Sequence, residues 1–167
     1  TGAGTMTYYD PATQRYGALG HEVQGVSESS QGELYEASVL SFTRAQRTQA
    51  GAKQARIDAD ALIGTIDANT PIYEQVPDEA TMLPWAAHDE VKLGKAQFYT
   101  VLEGEQIEAF DIEITALHPN TQDDMKGIEF RVTDSRLLKE SGGIIQGMSG
   151  SPIVQDGKIV GAVTHVV

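Results

Sequence analysis

The sequence predicts an all-β protein, a sandwich or barrel built from many short strands. Three observations carry that reading. Stretches rich in β-branched and aromatic residues recur along the chain, separated by turn residues. Gly occurs 17 times in 167 residues, which suits a turn-rich globular protein. Helical readings are few: "SRLLKESGG" as a short helix or turn, and one segment that fits a strand or a helix.

The elements follow in order. "TMTYY" (5–9) is a strand, "DPATQ" supplies Asp-Pro turn chemistry, and "RYGALGH" returns as a second strand ending at His21. "ELYEASVLSF" (33–42) alternates and then turns apolar, as a strand does. Residues 44–55, "RAQRTQAGAKQA", are polar around Gly51 and read as an exposed loop. "RIDADALIGTID" (56–67) fits a strand or a helix. Residues 76–94 hold two prolines and the only Trp and read as irregular. "AQFYTVL" and "IEAFDIEITAL" form a hairpin through "EGEQ", and "GIEFRVTD" is a further strand. The last hairpin pairs "IIQGMSGSPIVQ" with "KIVGAVTHVV", turned by Asp156-Gly157.

Composition narrows the function. Twelve Lys and Arg against 24 Asp and Glu give a net charge of −12, which repels phosphate backbones and argues against nucleic-acid binding. The chain has no cysteine, so disulfides, thiolate zinc sites and a cysteine nucleophile are excluded. No apolar run approaches the roughly 20 residues needed to cross a bilayer, and no signal peptide opens the chain. The opening "TGAGTMTYYD" lacks an initiator Met and the chain stops within "AVTHVV", so both ends read as cut from something longer. Asp123 and Asp124 lie in "NTQDDMKG", which reads as a loop; no metal and no organic cofactor is expected.

The chemistry concentrates in "GMSGSP" (147–152). A serine hydroxyl attacks a carbonyl only when a base takes its proton, a third group orients that base, and donors hold the oxyanion. Gly147 can take an unusual φ and turn its N–H inward, so that it forms an oxyanion hole with the N–H of Ser149, as in the chymotrypsin arrangement. The α/β-hydrolase elbow is excluded, because Ser151 stands where Gly-x-Ser-x-Gly needs Gly. His21 precedes Ser149, the order of trypsin-like enzymes. For the acid, Asp134 in "VTDSRLL" and Asp111 in "FDIEITAL" both remain open. Their structural readings are a helix N-cap and an edge-strand carboxylate respectively. His88 and His118 read as solvated and His165 as structural.

"GAGTMTYYDPATQRYGALGH", "EAFDIEI", "VTDSRLL" and "GGIIQGMSGSPIVQDGKIVGAVTHV" together resemble the stage IV sporulation protein B peptidase family, serine peptidases of the chymotrypsin clan in endospore-forming bacteria. The resemblance implies two small antiparallel β-barrels with the site between them. It implies Ser149 as nucleophile, His21 as base, Asp134 as acid, and Thr164 on a strand lining the substrate cleft. It further implies one serine peptidase domain over residues 1–167, lacking the family's N-terminal membrane anchor, its PDZ domain and a C-terminal stretch. The expected biology is a narrow signalling protease. It would be exported between the forespore and mother-cell membranes, cleave a membrane-bound regulatory protein, and cleave itself. Two alternatives stand beside this. One is an inactive peptidase-like module that captures an extended peptide, and the other is a quality-control protease of the HtrA kind.

Overall fold

Antiparallel pairing uses nearly every strand-forming stretch of the sequence. The structure is a computed structural model and describes residues 4–20, 32–66, 72–73, 83–118 and 127–166. Strands β1 (Gly4–Asp10) and β2 (Arg15–Gly20) form a two-stranded sheet. Their turn is fixed by Asp10, whose carboxylate accepts from the Ala12 N–H at 3.0 Å and from the Thr13 hydroxyl at 2.7 Å. Strands β3 (Gly32–Thr43), β4 (Ala52–Ile66) and β5 (Ile72–Tyr73) make a second sheet in that order.

The third sheet holds β6 (Gly94–Val101), β7 (Ile107–Leu117), β8 (Ile128–Val132), β9 (Pro152–Gln155) and β10 (Lys158–Ala162), in the order β10-β9-β6-β7-β8. One short helix, α1 (Ser135–Glu140), follows β8. Asp156 and Gly157 both adopt positive φ, 52° and 76°, as the tight hairpin turn between β9 and β10 requires.

The all-β class is therefore observed. Among the described residues no sheet closes on itself, so the structure is a set of open antiparallel sheets rather than two closed barrels. Three local readings change. The loop expected over 44–55 ends earlier, because Ala52 already pairs with Thr43 and opens β4. The ambiguous segment from Arg56 is strand, held by β3 through Ala37↔Ile57 and Leu34↔Gly64. The apolar "IIQGM" before the serine is not a strand. Ile144 and Ile145 spend their apolar side chains on packing against the core, and Gln146 makes a single parallel bridge to Ala52. Of the stretch 76–94 read as irregular, residues 83–93 are so apart from a 3-10 turn at His88–Glu90 and a bridge from Trp85 to Ile159, Gly94 opens β6, and 76–82 lie outside the described residues.

The core lies on one face of the five-stranded sheet. Alternation in β6 and β7 turns Phe98, Phe110, Ile112 and Ile114 inward, where Leu137 of α1, Met148 and Val163 meet them. Each such fully buried side chain contributes about 2 kcal/mol. The serine turn thus grows directly out of the best-packed part of the molecule.

Candidate active site

The serine turn is held by glycines that only a residue without Cβ can replace at no cost. Gly147 and Gly150 adopt φ of 96° and 88°, and Ser149 stands half-exposed between them. Beneath it Met148 is fully buried, so the hydroxyl-bearing residue sits on an anchored neighbour. The Ser151 N–H donates to the Met148 carbonyl at 3.0 Å, and the Gly150 N–H to the Val163 carbonyl at 2.8 Å. Val163 donates back to Ser151 O at 3.0 Å, which brings the next residue, Thr164, alongside the turn. Thr164 lies beyond the end of β10 at Ala162, and so outside the strand on which it was expected. The Ser151 hydroxyl is buried with no hydrogen-bond partner among the described residues.

Strand β1 clamps this turn from a distant part of the sequence. The Thr5 hydroxyl donates to Gly147 O at 2.9 Å and the Thr7 hydroxyl to Gly150 O at 2.7 Å, one on each side of Ser149. Thr5 pairs across the hairpin with Leu19, and Gly4 with Gly20. The strand that leads into His21 therefore runs beside the strand that grips the serine turn. His21 itself lies outside the described residues, as do Asp123 and Asp124.

A lysine that the sequence did not single out packs under the same turn. The Lys53 backbone N–H donates to Gln146 O at 3.0 Å, and its ammonium donates to the Thr100 hydroxyl at 2.8 Å. Carbons of its stem lie 3.1–3.3 Å from where a Cβ on Gly147 would stand. Burial pushes this ammonium from its usual 10.5 down to about 8, since the charged form is the one that loses hydration. Nothing in "RAQRTQAGAKQA" marks Lys53, because its burial is made by the serine turn and β6 folding over it.

The two candidate acids are engaged elsewhere. Asp134 is the N-cap of α1: one carboxylate oxygen accepts from Leu137 N–H at 2.9 Å, the other from Asp111 N–H at 3.3 Å. Asp111 alternates with buried Phe110 and Ile112, so its exposed carboxylate leaves on the solvent face, where Gln97 donates to it at 2.9 Å. Among the described residues neither carboxylate hydrogen-bonds to the serine turn. His118 is bound to Glu129 at 2.8 Å, while His88 and His165 are exposed. No three His, Asp or Glu side chains among the described residues converge as metal ligands would.

The structure thus brings together Gly147, Ser149 and Thr164, and adds Thr5, Thr7 and Lys53 to them. A half-exposed hydroxyl on a braced turn, beside a glycine whose positive φ lets its N–H turn toward the same side, suits attack on a carbonyl and stabilisation of the resulting oxyanion. A family model described as SpoIVB peptidase S55 matches residues 1–167, the whole chain. Searches of curated proteins and of solved structures returned no match.

Proposed function

Because the chain belongs to the SpoIVB peptidase S55 family, we propose that it is a serine endopeptidase with Ser149 as its nucleophile. The observation that carries this is the serine turn itself. Ser149 is presented between two left-handed glycines whose carbonyls are both fastened by β1. A turn that needed only small residues would not require bracing on both sides of the hydroxyl.

In this mechanism the Ser149 oxygen attacks the scissile carbonyl while His21 takes its proton. The Gly147 and Ser149 N–H groups hold the oxyanion, and His21 then passes the proton to the departing amine. Asp134 would orient the imidazole and keep its tautomer without taking its proton. It would have to do so while capping α1. Thr164, beside the turn, would meet the substrate chain. What supports the place of His21 is that β2 delivers the chain to it next to Thr5, whose hydroxyl grips Gly147.

The chymotrypsin-type arrangement belongs to the same proposal. The five-stranded sheet with the serine turn would form one half, and β1–β5 the half that carries His21. Cleavage of a regulatory protein between the forespore and mother-cell membranes, membrane anchoring and self-cleavage are the biology that goes with it.

A fluorophosphonate probe tests the reading. Ser149 Oγ forms the bond to phosphorus, the P–F bond breaks, and fluoride leaves. We expect labelling of the full-length protein that Ser149→Ala abolishes. A full-length protein that never labels would overturn the peptidase reading in favour of a peptide-binding module. Digestion of casein by the unlabelled protein would mark a broad quality-control enzyme instead of a narrow signalling one.

A further inference from the structure

The buried ammonium under the serine turn has no part in the mechanism above. We propose that Lys53 is a positioning residue that acts through Gly147, holding its N–H on the oxyanion and setting a fixed positive charge behind it. The proposal rests on the serine peptidase reading.

Three contacts tie Lys53 to that duty. Its backbone N–H fixes Gln146 O at 3.0 Å, the residue just before Gly147. Its stem backs the α-carbon of Gly147 at the spot a side chain would occupy. Its ammonium is moored to the hydroxyl of Thr100, which is itself buried in β6. The charge lies two bonds beyond the stem carbon that stands nearest to that spot.

The chemistry explains why an ammonium stands there. Hydration lost on burial is a cost that an apolar side chain of similar length would avoid. Burial lowers its proton affinity to about 8, the mark of a charge partly shielded from water. In such a place a cation acts on a developing oxyanion more strongly than it would in water.

The groups around it leave that charge free to act. From β6 it meets the Thr100 hydroxyl. Glu108, the partner of Thr100 across on β7, is taken by Arg136 of α1 through two hydrogen bonds. From β3 the paired residue is Phe42, and the serine turn offers only backbone.

The test follows the rate of fluorophosphonate labelling at Ser149 from about pH 6 to about pH 10, on either side of the lysine midpoint. In the wild type we expect the rate to fall above a midpoint of about 8, where Lys53 loses its proton. Lys53→Met should label about tenfold more slowly at neutral pH, a fraction of what losing a whole oxyanion donor costs. It should also lack the alkaline fall. Lys53→Arg should keep the rate and push the fall upward, because a guanidinium stays charged. A Lys53→Met protein that labels at the wild-type rate, or that keeps the alkaline fall, overturns the proposal.

A second measurement needs no activity and no variant that folds. The amide resonance of Gly147 in the wild-type protein should move with the same midpoint of about 8. A resonance that stays still through that range overturns the proposal even in an enzyme that labels well. A resonance that moves in a protein no probe labels keeps the tie between Lys53 and Gly147 and sinks the peptidase reading alone.

Discussion

Gly147 is where backbone geometry and chemistry meet. Adding one methyl there would force an L residue into φ 96° and press it against three carbons of the Lys53 stem. The left-handed conformation alone costs roughly 1–2 kcal/mol. Gly147→Ala should therefore lower the melting temperature and slow labelling of Ser149 by about a hundredfold, as losing an oxyanion donor does. Retained labelling would remove Gly147 from the oxyanion hole. Asp134 can be split from its capping duty. Asn still accepts from the Leu137 N–H but gives up the longer acceptance from the Asp111 N–H at 3.3 Å, so Asp134→Asn should cost about 0.5 kcal/mol, whereas Asp134→Ala, which loses both, should cost about 1–2 kcal/mol. If Asp134 orients His21, the Asn variant melts closer to the wild type than the Ala variant yet labels as slowly; wild-type labelling by the Asn variant would strike Asp134 from the site. At this scale the sequence pointed to Ser149 and Gly147 as candidates, because the turn that carries them is a local signature. Lys53 was hidden because its depressed proton affinity comes from residues 47 and more positions away that bury it.

Hairpins were the elements most readable in the sequence, since each carries its turn chemistry in a few adjacent residues. Asp10 closes β1–β2 and Asp156-Gly157 closes β9–β10 as their residue types predict. The segment before the serine was misread for a reason of the same kind. "IIQGM" has the composition of a strand, but its isoleucines are consumed by the core and a single bridge to Ala52 replaces a ladder. The start of β4 was missed because polar residues there are held by pairing with β3, which no local pattern reveals. How the β1–β2 hairpin serves the serine turn is testable on β1. Replacing Thr5 and Thr7 together by Val keeps shape and removes two donors, each worth about 1 kcal/mol. Hydrogen exchange should quicken in β1 and β2, remain unchanged in the five-stranded sheet, and accompany slower labelling. Unchanged exchange in the hairpin would show that the clamp carries no strength.

Across the whole molecule 24 acidic residues stand against 12 basic ones, and one of the basic residues, Lys53, is largely buried. Its folded affinity for protons is lower than its unfolded one, so the charged form weakens the fold. The penalty is full below about pH 8, shrinks as pH climbs toward the unfolded value of 10.5, and is gone above it. A drop of that size corresponds to about 3 kcal/mol. Lys53→Met should accordingly melt higher than the wild type at neutral pH, with the gap narrowing at alkaline pH; a lower melting temperature at neutral pH would show the ammonium to be a net support. The all-β class was legible because strand patterns repeat along the chain, whereas the way the sheets meet depends on a few long contacts that leave no trace in any window of sequence. Thr5 and Thr7 make the longest of the described side-chain bonds, spanning 142 and 143 positions. Closing a loop of such span costs more entropy than any local turn. A copy in which that link had not formed would hold its hydroxyl unbraced. If Ser149 is the nucleophile, prising one strand away would act as a safety catch, silencing the blade while the body of the fold stays whole.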